Sequence, residues 1–464
     1  MAINLSGESV LILGAAITGS AVARSLRSKG ATITFADDQI TSVAGGETFE
    51  VLKPDQVNVA DYSFIVVSPG WRESHPIIQS AKAANVRLVN EIDLAWSFRS
   101  ELVPGQKWVA LTGTNGKTTT VEMAAAMLRE GGISAIACGN VGTTVIESVE
   151  SSEKYEVLVL EISSFQLHWL REASFVAAAI LNIAEDHVDW HGSFSEYARV
   201  KGSILDRTST GILNALDLEV VNQAAHWRGR KVFFSLDTPA PGEIGVVEDL
   251  LVDRAFVSDP QEAAMLAEVI DVKPTVPHNV ANALAAAGLA RALGISPEAI
   301  RSALQKFSLG RHRIEEVANI NGISWVNDSK ATNPHATAAS LNSSLSSIWI
   351  AGGLAKGAQM YELIAKCKSR IKVAILIGSD RDLIAQELRT QAPEIEIVLI
   401  DAPATYQRGG NDNSLMEAVV RAAAERAKPG DRVLLAPACA SMDQFISYSD
   451  RGDRFAAAVK KVVK

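Results

Sequence analysis

Residues 113–119 read GTNGKTT, a glycine-bearing run closed by Lys117 and Thr118. Such a run cradles phosphate. Its backbone N–H groups turn inward on phosphate oxygens, and a following helix adds partial positive charge at its N-terminus. Lys117 would reach the β- and γ-phosphates, and Thr118 would hold Mg²⁺ through its hydroxyl. The spacing departs from the common form G-x-x-x-x-G-K-[ST], which would place the opening glycine at 111, where this chain has Leu111. The glycine comes at Gly113 instead, so the loop is short.

Three further residues could join that chemistry. Glu161 follows the apolar run VLVL, at the carboxyl end of a predicted strand. His187, in LNIAEDHVDWHG, follows the next strand. Ligands of open α/β sheets bind outside those carboxyl ends. A carboxylate and an imidazole beside a phosphate loop would suit a second metal ion. Lys201, in EYARVKGSI, lies on a predicted helix and by itself reads as a surface lysine.

Elsewhere the signals are looser. GAAITG (14–19) resembles the dinucleotide fingerprint G-x-G-x-x-G, but its middle glycine is Ala16, which counts against NAD. Asp37 and Asp38 end the second strand, where a ribose partner would stand. A structural turn and a nucleotide diphosphate site both fit. NDSKATNPHAT (327–337) and APACASMDQF (436–445) follow strands near the C-terminus. Both suit binding loops, and a polar turn explains the first equally well. Ser441 falls where a helix would begin, so a carboxylate could bind beside it.

The elements that must position these residues alternate strand and helix. SVLILGAAITGSAVARSLRSKGATITFADD reads strand, turn, helix, strand. WVALTG, YEVLVLEIS and FVAAAILNI are apolar runs suited to parallel strands buried on both faces. TVPHNVANALAAAGLARALG is a helix ending near Gly294, and Ser296 and Pro297 start another. Strands ISWVND, SIWIAGG, VAILIGS and RVLLAPA build the last region. The class is α/β with open parallel sheets. Breaks at LVPGQK and SLGRHRIE divide the chain into 1–104, 105–310 and 311–464.

Bulk properties exclude other classes. A chain of 464 residues exceeds one ordinary core. The net charge of -9 gives no electrostatic reason to expect nucleic acid. Three scattered cysteines, with no C-x-x-C pair, argue against a cysteine zinc site and a disulfide framework. No uncharged run reaches the ~18 residues of a membrane span. The expected location is the cytoplasm.

Taken together, GTNGKTT, GNVG (139–142), EISSFQL (161–167), LNIAEDHVDWHG (181–192), HNVANALAA (278–286), NDSKATN (327–333) and PACASMDQF (437–445) resemble the motifs of the Mur ligases of bacterial cell-wall synthesis, in the same order. The short loop is itself typical of that family. The wording of EISSFQL, NDSKATN and PACASMDQF resembles the member that adds D-glutamate to UDP-N-acetylmuramoyl-L-alanine. The resemblance implies three domains, Rossmann-like over 1–104, ATP-binding over 105–310 and dinucleotide-fold-like over 311–464, and an ATP-driven reaction. A substrate carboxylate would take the γ-phosphate as an acyl phosphate, which the amine of D-glutamate then attacks.

It also implies residue roles. Gly113, Thr114, Asn115, Gly116, Lys117, Thr118, Thr119, Asn279, Arg313, Asp328 and Lys330 would bind ATP. Two Mg²⁺ ions would be held by Thr118, Glu161, His187 and Lys201, the last carbamylated by CO₂. Ile17, Thr18, Asp37, Asp38, Gly70 and Asn140 would bind the UDP-substrate. Thr332, Lys356, Ser441, Met442 and Tyr448 would receive D-glutamate, although Lys356 by itself reads as a solvated lysine in a Gly-rich turn. The expected state is a monomer, with no nucleic-acid partner and no membrane span. A folylpolyglutamate synthase or an inactive UDP-sugar binder are the rival readings.

Overall fold

The computed structural model describes residues 4–40 and 49–463. Its strands form three sheets. The first contains β1 (Ser9–Leu13), β2 (Thr32–Ala36), β3 (Glu50–Leu52), β4 (Phe64–Val67) and β5 (Arg87–Val89), all parallel, in the order β3-β2-β1-β4-β5. The apolar run of β1 lies between neighbours on both sides, and Val10 to Leu13 are buried. Strand order reverses at β1, so a crevice opens beyond its carboxyl end.

The second sheet contains β6 (Lys107–Thr112), β7 (Ala135–Gly139), β8 (Val157–Glu161), β9 (Ala177–Ile180), β10 (Thr210–Asn214), β11 (Arg230–Phe234), β12 (Ile244–Val247), β13 (Leu250–Asp253) and β14 (Ala264–Glu268). Their order is β14-β13-β12-β11-β10-β9-β6-β8-β7. The strand feeding the glycine loop therefore lies between β8 and β9, which carry Glu161 and Asn182 at their ends. Unlike the all-parallel sheet expected, β12, β13 and β14 pair antiparallel. Short connections make that meander possible, because antiparallel neighbours need no crossover helix.

The helix Pro277–Ala292 is buried along most of its length. Its alanine-rich, apolar-all-round sequence suits a helix packed in a core. The next helix, Pro297–Lys306, begins as the sequence predicts: the Ser296 hydroxyl accepts from the amide of Ala299 and Pro297 occupies the first turn.

The third sheet contains β15 (Glu315–Ile320), β16 (Ile323–Asn327), β17 (Ser347–Gly352), β18 (Ile371–Ile377), β19 (Glu396–Leu399) and β20 (Arg432–Leu435), in the order β15-β16-β20-β17-β18-β19. Only β15 is antiparallel to its neighbour. The chain forms two compact units: the first two sheets share one, and Ser308–Lys464 makes the other with Ala184–Asp189 and Val276–His278. No helix of the described residues is long and apolar enough to cross a membrane.

Candidate active site

In the first unit β6 runs into the glycine loop, and Gly116 turns it with φ +82° before the helix Lys117–Glu130. A Cβ there would stand 2.3 Å from Asn282 Oδ1, so the position requires glycine for space as well as conformation. Asn182 braces the loop from β9. Its carbonyl accepts from Thr114 N–H at 2.9 Å, its Oδ1 from Asn115 N–H at 2.8 Å, and its Nδ2 donates to Asn115 O at 3.0 Å. Lys117 Nζ folds back to the carbonyls of Gly113 and Thr114, at 2.9 and 3.0 Å. Thr118 and Thr119 are buried in the first helical turn.

Lys201 corrects the surface reading. It is 1% exposed. Its Nζ donates to Gly113 O at 2.8 Å and to Thr112 Oγ1 at 3.4 Å, and lies 4.8 Å above the Tyr197 ring. The Tyr197 hydroxyl is 2.9 Å from Thr114 Oγ1. The helix Phe194–Gly202 thus turns its lysine inward onto the loop. Helical position alone does not report this, because the burial comes from strands distant in sequence.

Glu161 ends β8 and is buried. Its Oε1 accepts from Asn140 Nδ2 at 2.8 Å. Its Oε2 is buried with no hydrogen-bond partner among the described residues. A buried, unpartnered carboxylate oxygen costs free energy unless a cation or donor completes it. Hydroxyl and carboxylate oxygens of this kind suit Mg²⁺, which keeps several waters of its own. The fit is to that sparse coordination: among the described residues no group of three His, Cys, Asp or Glu side chains could hold a metal alone. His187 lies in the segment Ala184–Asp189 of the second unit, at φ +53°, with its ring 3.6 Å from Asp186 Oδ2. Asn279 is buried, and its Nδ2 donates to the carbonyls of Lys273 and Pro274 at 3.1 Å each.

A cavity of about 590 Å³ opens beyond the first sheet, at the β1 reversal. Ile17, Thr18, Asp37, Asp38 and Gly70 line it, with Trp71, Arg72 and His75, which sequence reading missed. Asn140 is not among its lining residues. Burial raises the Asp37 carboxyl, but the backbone amides of Ile40, Ala15 and Gln39 outweigh it and hold it below the usual range. Asp37 is therefore a fixed carboxylate. Asp38 is 3.4 Å from His75 Nε2.

In the second unit several loops converge. A bridge between Leu354 and Ala440 ties the turn of Lys356, at φ +51°, to the segment holding Ser441 and Met442. Lys330 Nζ lies 4.1 Å from the Tyr448 ring centroid. Thr332 N–H donates to Lys330 O at 2.8 Å. Asp328 is buried, which pushes its carboxyl up to about 6, while the Ser340 hydroxyl and the Ile314 amide partly offset this. Arg313 is half-buried near it and lowers that value slightly. Behind these loops Arg451 is fully buried. It donates to Ser329 Oγ and O at 3.0 Å, to Cys439 O at 3.2 Å and to Gly352 O at 3.5 Å. Nothing in the sequence distinguishes Arg451 from a surface arginine of a helix start.

Comparison with known proteins bears directly on this arrangement. The Mur ligase middle domain matches residues 111–290, and the Mur ligase, glutamate ligase domain matches residues 312–439. A UDP-N-acetylmuramoylalanine–D-glutamate ligase of Thermobifida fusca is 45% identical over 98% of this chain and 99% of its own. This chain is a Mur ligase. The enzyme of the same name from Streptomyces coelicolor is 44% identical, covering 99% of both chains. Among solved Mur ligase relatives, a pseudomurein peptide ligase type C from Methanothermus fervidus superposes with a TM-score of 0.60 at 18% identity, over 98% of this chain and 100% of the other. A MurF ligase from Thermotoga maritima in complex with ADP gives 0.56 at 16% identity, over 99% and 96%. At those identities the likeness shows the Mur ligase fold alone.

Proposed function

We propose that this Mur ligase uses ATP to join D-glutamate to UDP-N-acetylmuramoyl-L-alanine, releasing ADP and phosphate, in the cytoplasm as a monomer. The observation that carries the reading is the phosphate loop with Lys117 and Lys201 both on the Gly113 carbonyl, beside a strand end bearing Glu161. The names of relatives 44–45% identical over nearly the whole chain support the choice of D-glutamate.

The roles follow from chemistry. The loop 113–119 holds the ATP phosphates, with Asn279, Arg313, Asp328 and Lys330 serving the rest of the nucleotide. The cavity at Ile17, Thr18, Asp37, Asp38 and Gly70 takes the uridine end of the acceptor, with Asn140 toward its sugar-peptide end. Thr118, Glu161, His187 and a carbamylated Lys201 would hold two Mg²⁺ ions, whose charge would offset the repulsion between a carboxylate and a phosphoryl group. Carbamylation needs a neutral amine, and the Lys201 side chain is buried against the loop. Thr332, Lys356, Ser441, Met442 and Tyr448 receive the two carboxylates of D-glutamate. Domains of 1–104, 105–310 and 311–464 each contain one of the three sheets.

The test is phosphate release dependent on UDP-N-acetylmuramoyl-L-alanine, measured with D-Glu, L-Glu, L-Ala, L-Lys and meso-diaminopimelate. D-Glu alone should support turnover. Equal rates with both glutamates, or a preference for a diamino acid, would overturn the assignment.

A further inference from the structure

One wall of the cavity is held by two indoles from short helices, Ser164–Trp169 and Val188–His191, that follow strands β8 and β9. Trp169 Nε1–H donates to the carbonyl of Trp71 at 3.1 Å, and Trp190 Nε1–H donates to the carbonyl of Gly70 at 3.0 Å. Gly70 and Trp71 are consecutive, and both line the cavity. All four residues belong to the first unit. Trp169 is buried, and a buried indole N–H needs some acceptor, while Trp190 is only partly buried and its bond to Gly70 is exposed, so either bond alone would mean little. Two indoles from different elements, meeting adjacent carbonyls of one wall, define the position of that wall.

The elements that carry the indoles adjoin those that carry Glu161 and Lys201. Trp169 closes the helix Ser164–Trp169, which begins directly after Glu161 to Ser163. Its own backbone is pinned: Asn90 Nδ2 donates to Trp169 O at 2.8 Å, and Asp93 accepts from the amides of Arg171, Glu172 and Ala173 at 2.7, 2.9 and 2.8 Å. Trp190 packs edge-on to Phe165 and His191, with ring centroids at 4.9 and 4.6 Å. His191 in turn lies 3.0 Å from Ser164 Oγ and edge-on to Tyr197 at 5.3 Å. Tyr197 touches both Thr114 of the phosphate loop and Lys201. The Gly70–Trp71 wall is thereby referenced to the helix after Glu161 and to the helix of Lys201.

We propose that Trp169 and Trp190 are positioning residues that align the acceptor, seated in the cavity by one end, with the phosphate loop at the other. This rests on the ligase reading above. An acceptor gripped in one place and reacting in another is sensitive to the offset between them, and misplacement by about 1 Å can cost on the order of a hundredfold in rate. UDP alone would fill one end of the site and would not sense that offset.

The experiment compares wild type with Trp190→Phe, Trp169→Phe and the double variant, which keep an aromatic ring and lose the N–H donor. UDP affinity is measured by calorimetry, and kcat and KM for UDP-N-acetylmuramoyl-L-alanine by D-glutamate-dependent phosphate release. The expected result is UDP affinity within about twofold of wild type, with kcat/KM for the acceptor falling about tenfold or more in the double variant. Because Trp169 is buried, replacement of its indole by the benzothiophene isostere repeats the measurement without a change of shape. Turnover within about twofold of wild type in the double and isostere variants overturns the proposal and leaves the ligase reading intact. So does a loss of UDP affinity equal to the loss of kcat/KM, since the indoles would then merely build the cavity. A wild-type protein that binds UDP but releases no phosphate with D-glutamate overturns the ligase reading, and this proposal with it.

Discussion

Lys117 and Lys201 donate to the same carbonyl oxygen, that of Gly113, at 2.9 and 2.8 Å. Two ammonium groups on one acceptor repel each other, and the buried Lys201 is the one whose charge is costlier to keep. An anionic adduct on Lys201 would replace that repulsion with attraction. Lys201→Ala is expected to lower phosphate release by about a hundredfold or more, the size of effect that loss of one electrostatic partner at a reacting centre produces. Acetate or propionate should restore part of it by supplying the missing oxygen. Near-normal turnover in Lys201→Ala would sink the carbamate assignment.

The glycine loop makes a sharper demand at Gly116. Left-handed backbone alone costs a non-glycine residue about 1 kcal/mol. The added Cβ also meets Asn282 Oδ1 at 2.3 Å. Gly116→Ala should therefore raise the KM for ATP about tenfold or more, through displacement of Asn282 and the loop. Combining it with Asn282→Ala should give less than the sum of the two losses, because the second change vacates the space the first requires. Strict additivity in that cycle would show that the two side chains do not compete.

Glu91 gives a pH dependence that no metal or nucleotide enters. Burial raises its carboxyl from 4.5 to about 7, against the backbone amides of Ile146 and Val145, with Glu147 raising it further. Such a group binds its proton more tightly folded than unfolded. Its contribution to stability is full below about pH 4.5 and is lost as pH rises through about 7. The loss amounts to roughly 3 kcal/mol at most, at 1.36 kcal/mol per pKa unit. Glu91→Gln cannot titrate, so melting temperatures recorded across that window should fall less steeply for the variant. Parallel curves would count against a raised Glu91.

Much of this architecture was legible in the chain because local rules and tertiary context agree. Ser296 and Pro297 start a helix as any such pair would, and VLVL ends at Glu161 because a buried parallel strand stops where its crevice opens. Other features depend on partners far away in sequence. Lys201 reads as solvent-facing until β6 and its loop lie against the helix, and Asn182 becomes a brace only when β9 is known to adjoin β6. The meander β12 to β14 was hidden among turns, since antiparallel strands of four or five residues carry little periodicity. Arg451 was invisible for a different reason: its acceptors include backbone carbonyls of two loops and of the end of β17, and carbonyls leave no trace in residue types.

Arg451 supplies the last prediction. Its guanidinium is fully buried, and burial pushes it down to about 10, so it stays charged at neutral pH. The fork spans Ser329, Gly352 and Cys439, each next to a loop proposed to receive D-glutamate. Lysine carries the charge but not the planar set of donors, and its single ammonium cannot reproduce that span. Arg451→Lys is therefore expected to fold, to bind UDP as wild type does, and to raise the KM for D-glutamate about tenfold. Arg451→Met removes every donor, and each buried acceptor left unsatisfied costs about 1–3 kcal/mol. Its effect should appear as earlier thermal unfolding of the second unit, with UDP still protecting the first against proteolysis. An unchanged KM for D-glutamate in Arg451→Lys, with normal turnover, would mean that the segments at Ser329, Gly352 and Cys439 hold their places without the arginine.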